Sequence, residues 1–219
     1  SPRANPTTSI APSAWMRYRD GMLRPQLLLL ALTTAFAQST PEGQPATSNV
    51  RAAAFPRIHA DRKVTFQLKA PTAQSVQVMP GGGANGMGKG PFEMTKSEGG
   101  LWTATIGPVE PGFHYYWFLI DGVPANDPSS ETYFGWAKQS SGLDVPDPAL
   151  DFYEPKDVPH GDVHIHWYRS KVTGAMRRAY VYTPPGYDSS RARYPVLYLQ
   201  HGSGESERGW TAQGRANFI

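Results

Sequence analysis

Strand-length segments of alternating polar and apolar residues follow one another from residue 57 to about residue 145, with no helical periodicity between them. In residues 63–68, for example, Val64, Phe66 and Leu68 fall on one face of a strand. Similar segments occupy 75–78, 100–106 and 114–120, and glycine and proline turns separate them. Short strands at this spacing predict a β-sandwich of about 90 residues.

The pattern changes after residue 159. Residues 163–168 and 178–183 predict two more strands, and 194–199 is almost continuously apolar. A continuous apolar run predicts a central strand that is buried on both faces. This strand leads directly into His201-Gly202-Ser203-Gly204, and the residues that follow suggest the start of a helix. Since such a strand needs covering helices, residues 151–219 predict only the N-terminal part of a domain.

The N-terminal region has the composition of a targeting segment. Residues 22–37 combine Arg24, a short run of leucines and the small-x-small triplet Ala35-Phe36-Ala37, which predicts a secretory signal peptide. The apolar run is too short to span a bilayer, so we expect export to the periplasm or the extracellular space and no membrane anchor after cleavage. Residues 1–37 are therefore assigned to an upstream segment plus signal peptide. Residues 38–56, rich in Pro, Ser, Thr and Ala, predict a linker.

Charge and cysteine content exclude several classes of function. The chain has 21 Lys and Arg and 18 Asp and Glu, a net charge of +3. Residues 1–37 contain four of the basic residues and one acid, so the remainder is electrically neutral. Because a nucleic-acid-binding domain is expected to be basic, a nucleic-acid partner is not predicted. The absence of cysteine excludes disulfides, thiolate metal sites and a cysteine nucleophile.

The sequence around His201-Gly202 carries the most specific motif in the chain. Residues 194–204, with the upstream run 181–187 (VYTPPGY) and with Glu205 and Trp210, resemble carbohydrate esterase family one. This family includes feruloyl, acetylxylan and enterochelin-esterase-like enzymes of the α/β-hydrolase fold. The resemblance implies that Gly202 and Ser203 shape part of an oxyanion hole, whose backbone amides stabilise developing charge. It also implies that His201 is a structural part of the turn.

The preceding sandwich carries its own resemblance. Leu101-Trp102, the aromatic run 112–118, Asp121-Gly122 and Asp127-Pro128 resemble the immunoglobulin-like early-set domains of these esterases. Those domains are related to family-48 carbohydrate-binding modules, so the resemblance implies a polysaccharide or oligosaccharide partner. Trp136, in a loop without clear periodicity, is the first candidate for sugar stacking. Trp117 and Trp102 are further candidates, although alternation along a strand also allows core packing.

The fold class expected from these observations is mainly β. An early-set β-sandwich at 57–150 precedes the first strands of an incomplete α/β-hydrolase domain at 151–219. The chain contains no Gly-x-Ser-x-Gly, and in α/β-hydrolases the serine, the acid and the histidine all follow the oxyanion turn. We therefore expect a C-terminally truncated, inactive fragment of a secreted serine esterase that removes feruloyl or acetyl groups from plant polysaccharide.

Other interpretations remain open. The sandwich could be a non-catalytic module that binds xylan or α-glucan, or a structural lid that contacts only the hydrolase domain. His160, His164 and His166 could hold a metal ion, but histidines that alternate on a strand without carboxylate partners are weak ligands, and no metal or cofactor is predicted.

Overall fold

The structure of the protein is a computed structural model that describes residues 42–82 and 86–219. Its strands, in chain order, are β1 (Gln44–Pro45), β2 (Arg57–Ile58), β3 (Val64–Lys69), β4 (Val76–Pro80), β5 (Phe92–Glu93), β6 (Thr95–Lys96), β7 (Leu101–Ile106), β8 (Gly112–Ile120), β9 (Val123–Ala125), β10 (Thr132–Gly135), β11 (Lys138–Val145), β12 (Asp162–Arg169) and β13 (Met176–Thr183). Helical structure in the described residues is limited to short 3₁₀ turns at Glu98–Gly100 and Tyr187–Ser189. The predicted mainly-β class is confirmed.

Two antiparallel sheets form the sandwich. Within the described residues, the first sheet has the strand order β1-β2-β3-β7-β6 and the second the order β10-β11-β8-β4-β5, with β9 also paired to β8. Val64, Phe66 and Leu68 of β3 are all buried, which confirms the face predicted from their alternation. They pack against residues of the second sheet in one apolar core that joins the two sheets.

An aromatic cluster connects the sheets at the centre of the core. The ring of Phe66 on β3 lies edge-on to Tyr116 on β8, with centroids 5.0 Å apart, and to Phe118 at 6.5 Å. The buried Tyr116 hydroxyl donates a 2.7 Å hydrogen bond to the Asp127 carboxylate, which also accepts one from the backbone amide of Ser129 at 2.7 Å. Burial raises the pKa of both Tyr116 and Asp127, and the hydrogen bonds partly oppose this for Asp127.

The turn between β8 and β9 follows from its sequence. Asp121 and Gly122 both have left-handed backbone conformations, with φ of 49° and 80°. Two such residues make the type of two-residue turn that matches strand twist. The Asp121 carboxylate accepts hydrogen bonds of 2.8 Å from the amides of Gln74 and Ser75, which lower its pKa.

Residues 42–56, part of the predicted linker, pack onto the sandwich. β1 pairs with β2, and Ala46 belongs to the core. The Asn49 side-chain amide donates hydrogen bonds to the carbonyls of Ala53 and Pro56, both at 3.0 Å. A polar, aperiodic segment can therefore be ordered by side-chain bonds to its own backbone. The predicted signal peptide at 22–37 and the residues upstream of it lie outside the described residues.

Beyond the sandwich, β12 and β13 form a two-stranded antiparallel hairpin, at the positions of the two strands predicted for 163–168 and 178–183. The hairpin exposes large apolar side chains that would ordinarily be buried, and Trp167 is 58% exposed. The predicted central strand at 194–199 is not formed: these residues have no strand pairing, and Leu197 and Tyr198 are 79% and 88% exposed. An apolar strand needs neighbours on both sides, and the described residues supply none.

The expected helix after residue 204 is a succession of turns. No helix among residues 42–82 and 86–219 has the length and apolarity that a bilayer crossing requires.

The buried pair of Tyr116 and Asp127 generates a stability prediction. Tyr116→Phe keeps the ring packing but removes one donor from a buried carboxylate, so we expect the free energy of unfolding to fall by about 2 kcal/mol. Urea unfolding monitored by circular dichroism measures this. Tyr168→Phe removes a hydroxyl from the exposed hairpin and should change it by less than about 0.5 kcal/mol. Equal losses in the two variants would contradict the assigned role of the buried bond.

Candidate functional site

An open groove of about 580 Å³ lies on the outer face of the second sheet. Its lining is mostly apolar and comes from the end of β4, the glycine-rich loop, β8 and the β10–β11 turn: Met79, Pro80, Gly82, Lys89, Gly90, Trp117 and Trp136. Concave sites with aromatic walls and a few polar groups are typical ligand-binding sites.

Trp136 forms one wall of the groove and is 54% exposed. Its backbone has a left-handed φ of 59° in the tight turn that connects β10 to β11. The indole packs against the backbone of Gly82, where an added Cβ would lie only 2.6 Å from Trp136 Cζ2. Glycine at position 82 therefore leaves room for the Trp136 ring beside the loop.

Trp117 projects from β8 into the same groove. The Lys138 ammonium lies over its ring, with Nζ 3.4 Å from the centroid, in cation–π geometry. Burial lowers the pKa of Lys138. The ammonium adds hydrogen-bond donors beside the aromatic surface, so stacking and polar recognition could act together at this point.

Trp102 is placed differently from the other two predicted tryptophans. It is 5% exposed, belongs to the core, and donates its indole N–H to the Ala70 carbonyl at 2.9 Å. A ring enclosed in this way offers no free face to a sugar. The candidate set is therefore corrected to Trp117 and Trp136, and Trp102 is a core residue.

The predicted oxyanion turn lies next to the groove. Gly202 and Ser203 are exposed, and Gly204 has a left-handed φ of 79°. The Gly202 amide donates to Glu205 Oε2 at 3.2 Å, and the Gly202 carbonyl accepts from the Glu205 amide at 3.1 Å. The amides of Ser203 and Gly204 have no acceptor among the described residues, so they are the donors open to an added ligand.

Residues of the sandwich hold this turn. The Ala137 amide, next to Trp136, donates to the Gly204 carbonyl at 2.8 Å. The Tyr115 hydroxyl donates to Glu205 Oε1 at 2.7 Å and accepts a bond from the Gln213 side chain. Burial, together with the neighbouring Glu205 carboxylate, raises the pKa of Tyr115 well above its ordinary value.

A charged cluster forms where Arg215, which follows the turn in the chain, meets β11 of the sandwich. Arg215 forms ion pairs with Asp144 of β11 and with Glu154, the latter at 3.1 Å. Burial raises the pKa of Asp144, and the Arg215 guanidinium opposes that shift. A small polar cavity of about 180 Å³ adjoins the cluster and is lined in part by Ser48, Gln213 and Phe218.

Sequence reasoning assigned Gly202 and Ser203 to the oxyanion turn and Trp117 and Trp136 to the sandwich, without predicting that the two sets are close. The structure places the turn beside the groove. Sequence reasoning missed Tyr115, Asp144 and Arg215. The outward position of Tyr115 follows from the alternation of β8, but no sequence signal links Asp144 to Arg215 across the fold.

The histidines considered as metal ligands are separate. His164 Nε2 is 3.0 Å from Thr183 Oγ1, and the His166 ring stacks on Tyr168 with centroids 6.2 Å apart. In the part of the chain that the structure describes, no three His, Asp or Glu side chains are grouped as metal ligands.

Comparisons with known proteins find sequence relatives of this chain. An endo-1,4-beta-xylanase/feruloyl esterase of Xylanibacter ruminicola is 42% identical over 171 residues, which cover 75% of this chain and 23% of that protein. The chain thus spans less than a quarter of its relative. No protein-family model matches the chain.

Two solved structures show partial likenesses. The enterobactin esterase FES of Shigella flexneri covers 54% of this chain and 39% of its own, at 17% identity and a TM-score of 0.40. The catalytic module of the glycogen-degrading pneumococcal virulence factor SpuA covers 48% and 17%, at 22% identity and a TM-score of 0.32. These likenesses are too distant to contribute to a functional assignment.

The Arg215 cluster generates a pH-dependent prediction. Arg215→Met removes the cation that favours ionised Asp144, so the folded-state pKa of Asp144 should rise. When the pKa of a carboxyl is higher in the folded protein than in the unfolded chain, the free energy of unfolding falls as pH rises from the lower pKa through the higher one. We therefore expect a loss of about 2 kcal/mol at pH 7 and a smaller loss at pH 4. Urea unfolding at both pH values measures it.

The double variant Asp144→Asn with Arg215→Met is the matched control. Asparagine does not titrate, so most of this pH dependence should disappear. A loss in Arg215→Met that is equal at pH 4 and pH 7 would contradict the electrostatic role of the pair.

Proposed function

We propose that the chain is the N-terminal part of a serine carboxylic-ester hydrolase that removes feruloyl or acetyl groups from plant polysaccharide. The observation that carries this proposal is the 42% identity over 171 residues to a protein named as both a xylanase and a feruloyl esterase. That name contains two activities, and the sequence of this chain favours the esterase. Its apolar run 194–199 followed by His201-Gly202 resembles the strand and oxyanion turn of an esterase.

The exposed apolar residues support the same proposal. Val196, Leu197 and Tyr198 are between 70% and 88% exposed, and the β12–β13 hairpin also exposes large apolar side chains. Contiguous apolar surface of this kind usually marks an interaction site. In a complete α/β-hydrolase sheet these residues would be covered by neighbouring strands and helices, which we propose follow residue 219 in the parent enzyme.

The chemistry would be acyl transfer through a serine. A serine oxygen attacks the ester carbonyl, the alcohol leaves, and water hydrolyses the acyl-enzyme. We assign to this chain only the turn that would contribute part of the oxyanion hole, through the free amides of Ser203 and Gly204. Ser206 is not a candidate nucleophile, because Arg208 stands where a Gly-x-Ser-x-Gly elbow needs its second glycine. Export by the signal peptide at 22–37 is part of the proposal.

The esterase proposal is tested on the longer reading frame. We expect a Gly-x-Ser-x-Gly motif downstream, and turnover of methyl ferulate or p-nitrophenyl acetate by the longer protein that substitution of that serine by alanine abolishes. The 219-residue chain should show no turnover above background, since it contains no triad. Activity of the short chain, or a downstream sequence without a nucleophile motif, would contradict the proposal.

A second candidate function is carbohydrate binding by the sandwich itself. The specific observation is the groove lined by Trp117 and the half-exposed Trp136, with the Lys138 ammonium over the Trp117 ring. Aromatic faces next to hydrogen-bond donors suit a sugar ring, which has an apolar face and polar edges. A sandwich that served only as a structural lid would have no need for an exposed aromatic groove.

Isothermal titration calorimetry with xylo- and malto-oligosaccharides tests the groove. We expect Trp136→Ala to weaken binding by at least about tenfold, because it removes one aromatic wall. Trp167→Ala is the matched control, since this exposed tryptophan lies on the hairpin, and binding should be unchanged. Failure of the unmodified chain to bind either series would favour the structural-lid interpretation.

A further inference from the structure

The Gly202–Gly204 turn is fixed by the sandwich as well as by its own chain neighbours. Glu205 is the connecting residue, because its two carboxylate oxygens accept different donors. Oε1 accepts from the Tyr115 hydroxyl at 2.7 Å, and Oε2 accepts from the Gly202 amide at 3.2 Å. Hydrogen bonds to a carboxylate are stronger than neutral ones. Tyr115 and Gly202, 87 positions apart in the chain, are thus linked through one side chain.

The position of Tyr115 is itself closely determined. Its ring packs edge-on against Phe113, with centroids 5.0 Å apart, and lies across Gly135 of β10. A Cβ at Gly135 would lie 2.3 Å from Tyr115 Cζ, so only glycine leaves room for the ring there. The Gln213 side chain donates to the Tyr115 hydroxyl and completes its hydrogen bonding. These contacts fix the position of the Tyr115 hydroxyl independently of its bond to Glu205.

The second contact between sandwich and turn is a backbone bond. The Ala137 amide donates to the Gly204 carbonyl at 2.8 Å, and an added Cβ at Gly204 would lie 2.9 Å from the same amide nitrogen. The turn is therefore held at its first glycine through Glu205 and at its last glycine by Ala137. Ser203, between them, keeps its amide without an acceptor among the described residues.

We infer that Tyr115 is a positioning residue for the Gly202–Gly204 turn, acting through Glu205, so that the sandwich sets the direction of the amides at Ser203 and Gly204. The catalytic meaning of this contact rests on the proposed esterase function, whereas the contact itself does not. A bond at Gly202 also removes that amide from the set of available oxyanion donors. The amides of Ser203 and Gly204 remain available as the part of an oxyanion hole that this turn would contribute.

Amide hydrogen exchange of the 219-residue chain tests the inference without any need for catalysis. In Tyr115→Phe the ring packing is kept and the bond to Glu205 is lost. We expect exchange of the Gly202 and Glu205 amides, the two in this turn that donate hydrogen bonds, to accelerate by about tenfold, as for the loss of a hydrogen bond to a charged group. Amides of β3, β8 and β11 should keep their exchange rates. Unchanged exchange at the turn, or equal acceleration in those strands, would overturn the inference.

Two further variants separate positioning from general destabilisation. Tyr133→Phe removes a hydroxyl of β10 that donates to Glu131 at 3.2 Å, and it should leave exchange at the turn unchanged. Glu205→Gln keeps an acceptor and a similar shape, so it should accelerate exchange less than Glu205→Ala does. Acceleration by Tyr133→Phe as large as by Tyr115→Phe would reduce Tyr115 to a structural role and reject the proposal.

The longer enzyme distinguishes failure of this inference from failure of the proposed function. If the longer protein hydrolyses p-nitrophenyl acetate, Tyr115→Phe should lower kcat by about tenfold with little change in KM, because oxyanion donors act mainly in the transition state. An unchanged kcat in an active enzyme would overturn the positioning role. An inactive longer protein together with faster exchange at the turn would reject the esterase proposal and keep the contact.

Discussion

Alternate side chains of β8 point to opposite faces of the second sheet. Both the core and the candidate site depend on this alternation. His114, Tyr116 and Phe118 face inward and are buried, where the two aromatic rings close the core against the first sheet. The intervening side chains face outward and form the surface that carries the candidate site. A slip of one residue in the pairing of β8 would exchange the two sets. The buried bond from Tyr116 to Asp127 opposes such a slip, because turning Tyr116 outward would break it.

The outward residues of β8 arrange the site in a line along the strand. Phe113 lies beside the cavity next to Arg215, Tyr115 bonds Glu205 of the turn, and Trp117 lines the groove. Residues two apart on a strand are about 7 Å from one another, so the three features are close neighbours. Trp136 and Ala137 join the last two, since Trp136 lines the groove and Ala137 bonds Gly204. Groove and turn therefore share one wall.

Local patterns determined how much of this could be predicted. Alternation at 63–68 and the Asp121-Gly122 turn depend on neighbours in sequence, and both predictions agree with the structure. The apolar run 194–199 predicts a central strand, but a strand also needs partners, and the described residues offer none. The ion pair of Asp144 and Arg215 joins positions far apart in the chain, where neither residue type nor spacing carries a signal. Trp102 and Trp117 both alternate on strands, and only the pairing of those strands tells which ring is buried.

A turn built from glycines gains close backbone approach at the expense of conformational entropy, because glycine has more freedom to lose than other residues. Amides that stabilise a transition state must nevertheless be oriented beforehand, since reorientation during the reaction would consume the stabilisation they provide. Contacts from outside the turn resolve this conflict. A rigid strand presents the Tyr115 hydroxyl, a carboxylate transmits the constraint to Gly202, and a backbone bond from Ala137 restrains Gly204. The flexibility that glycine supplies for shape is thus limited by a sheet whose own position is fixed by the core.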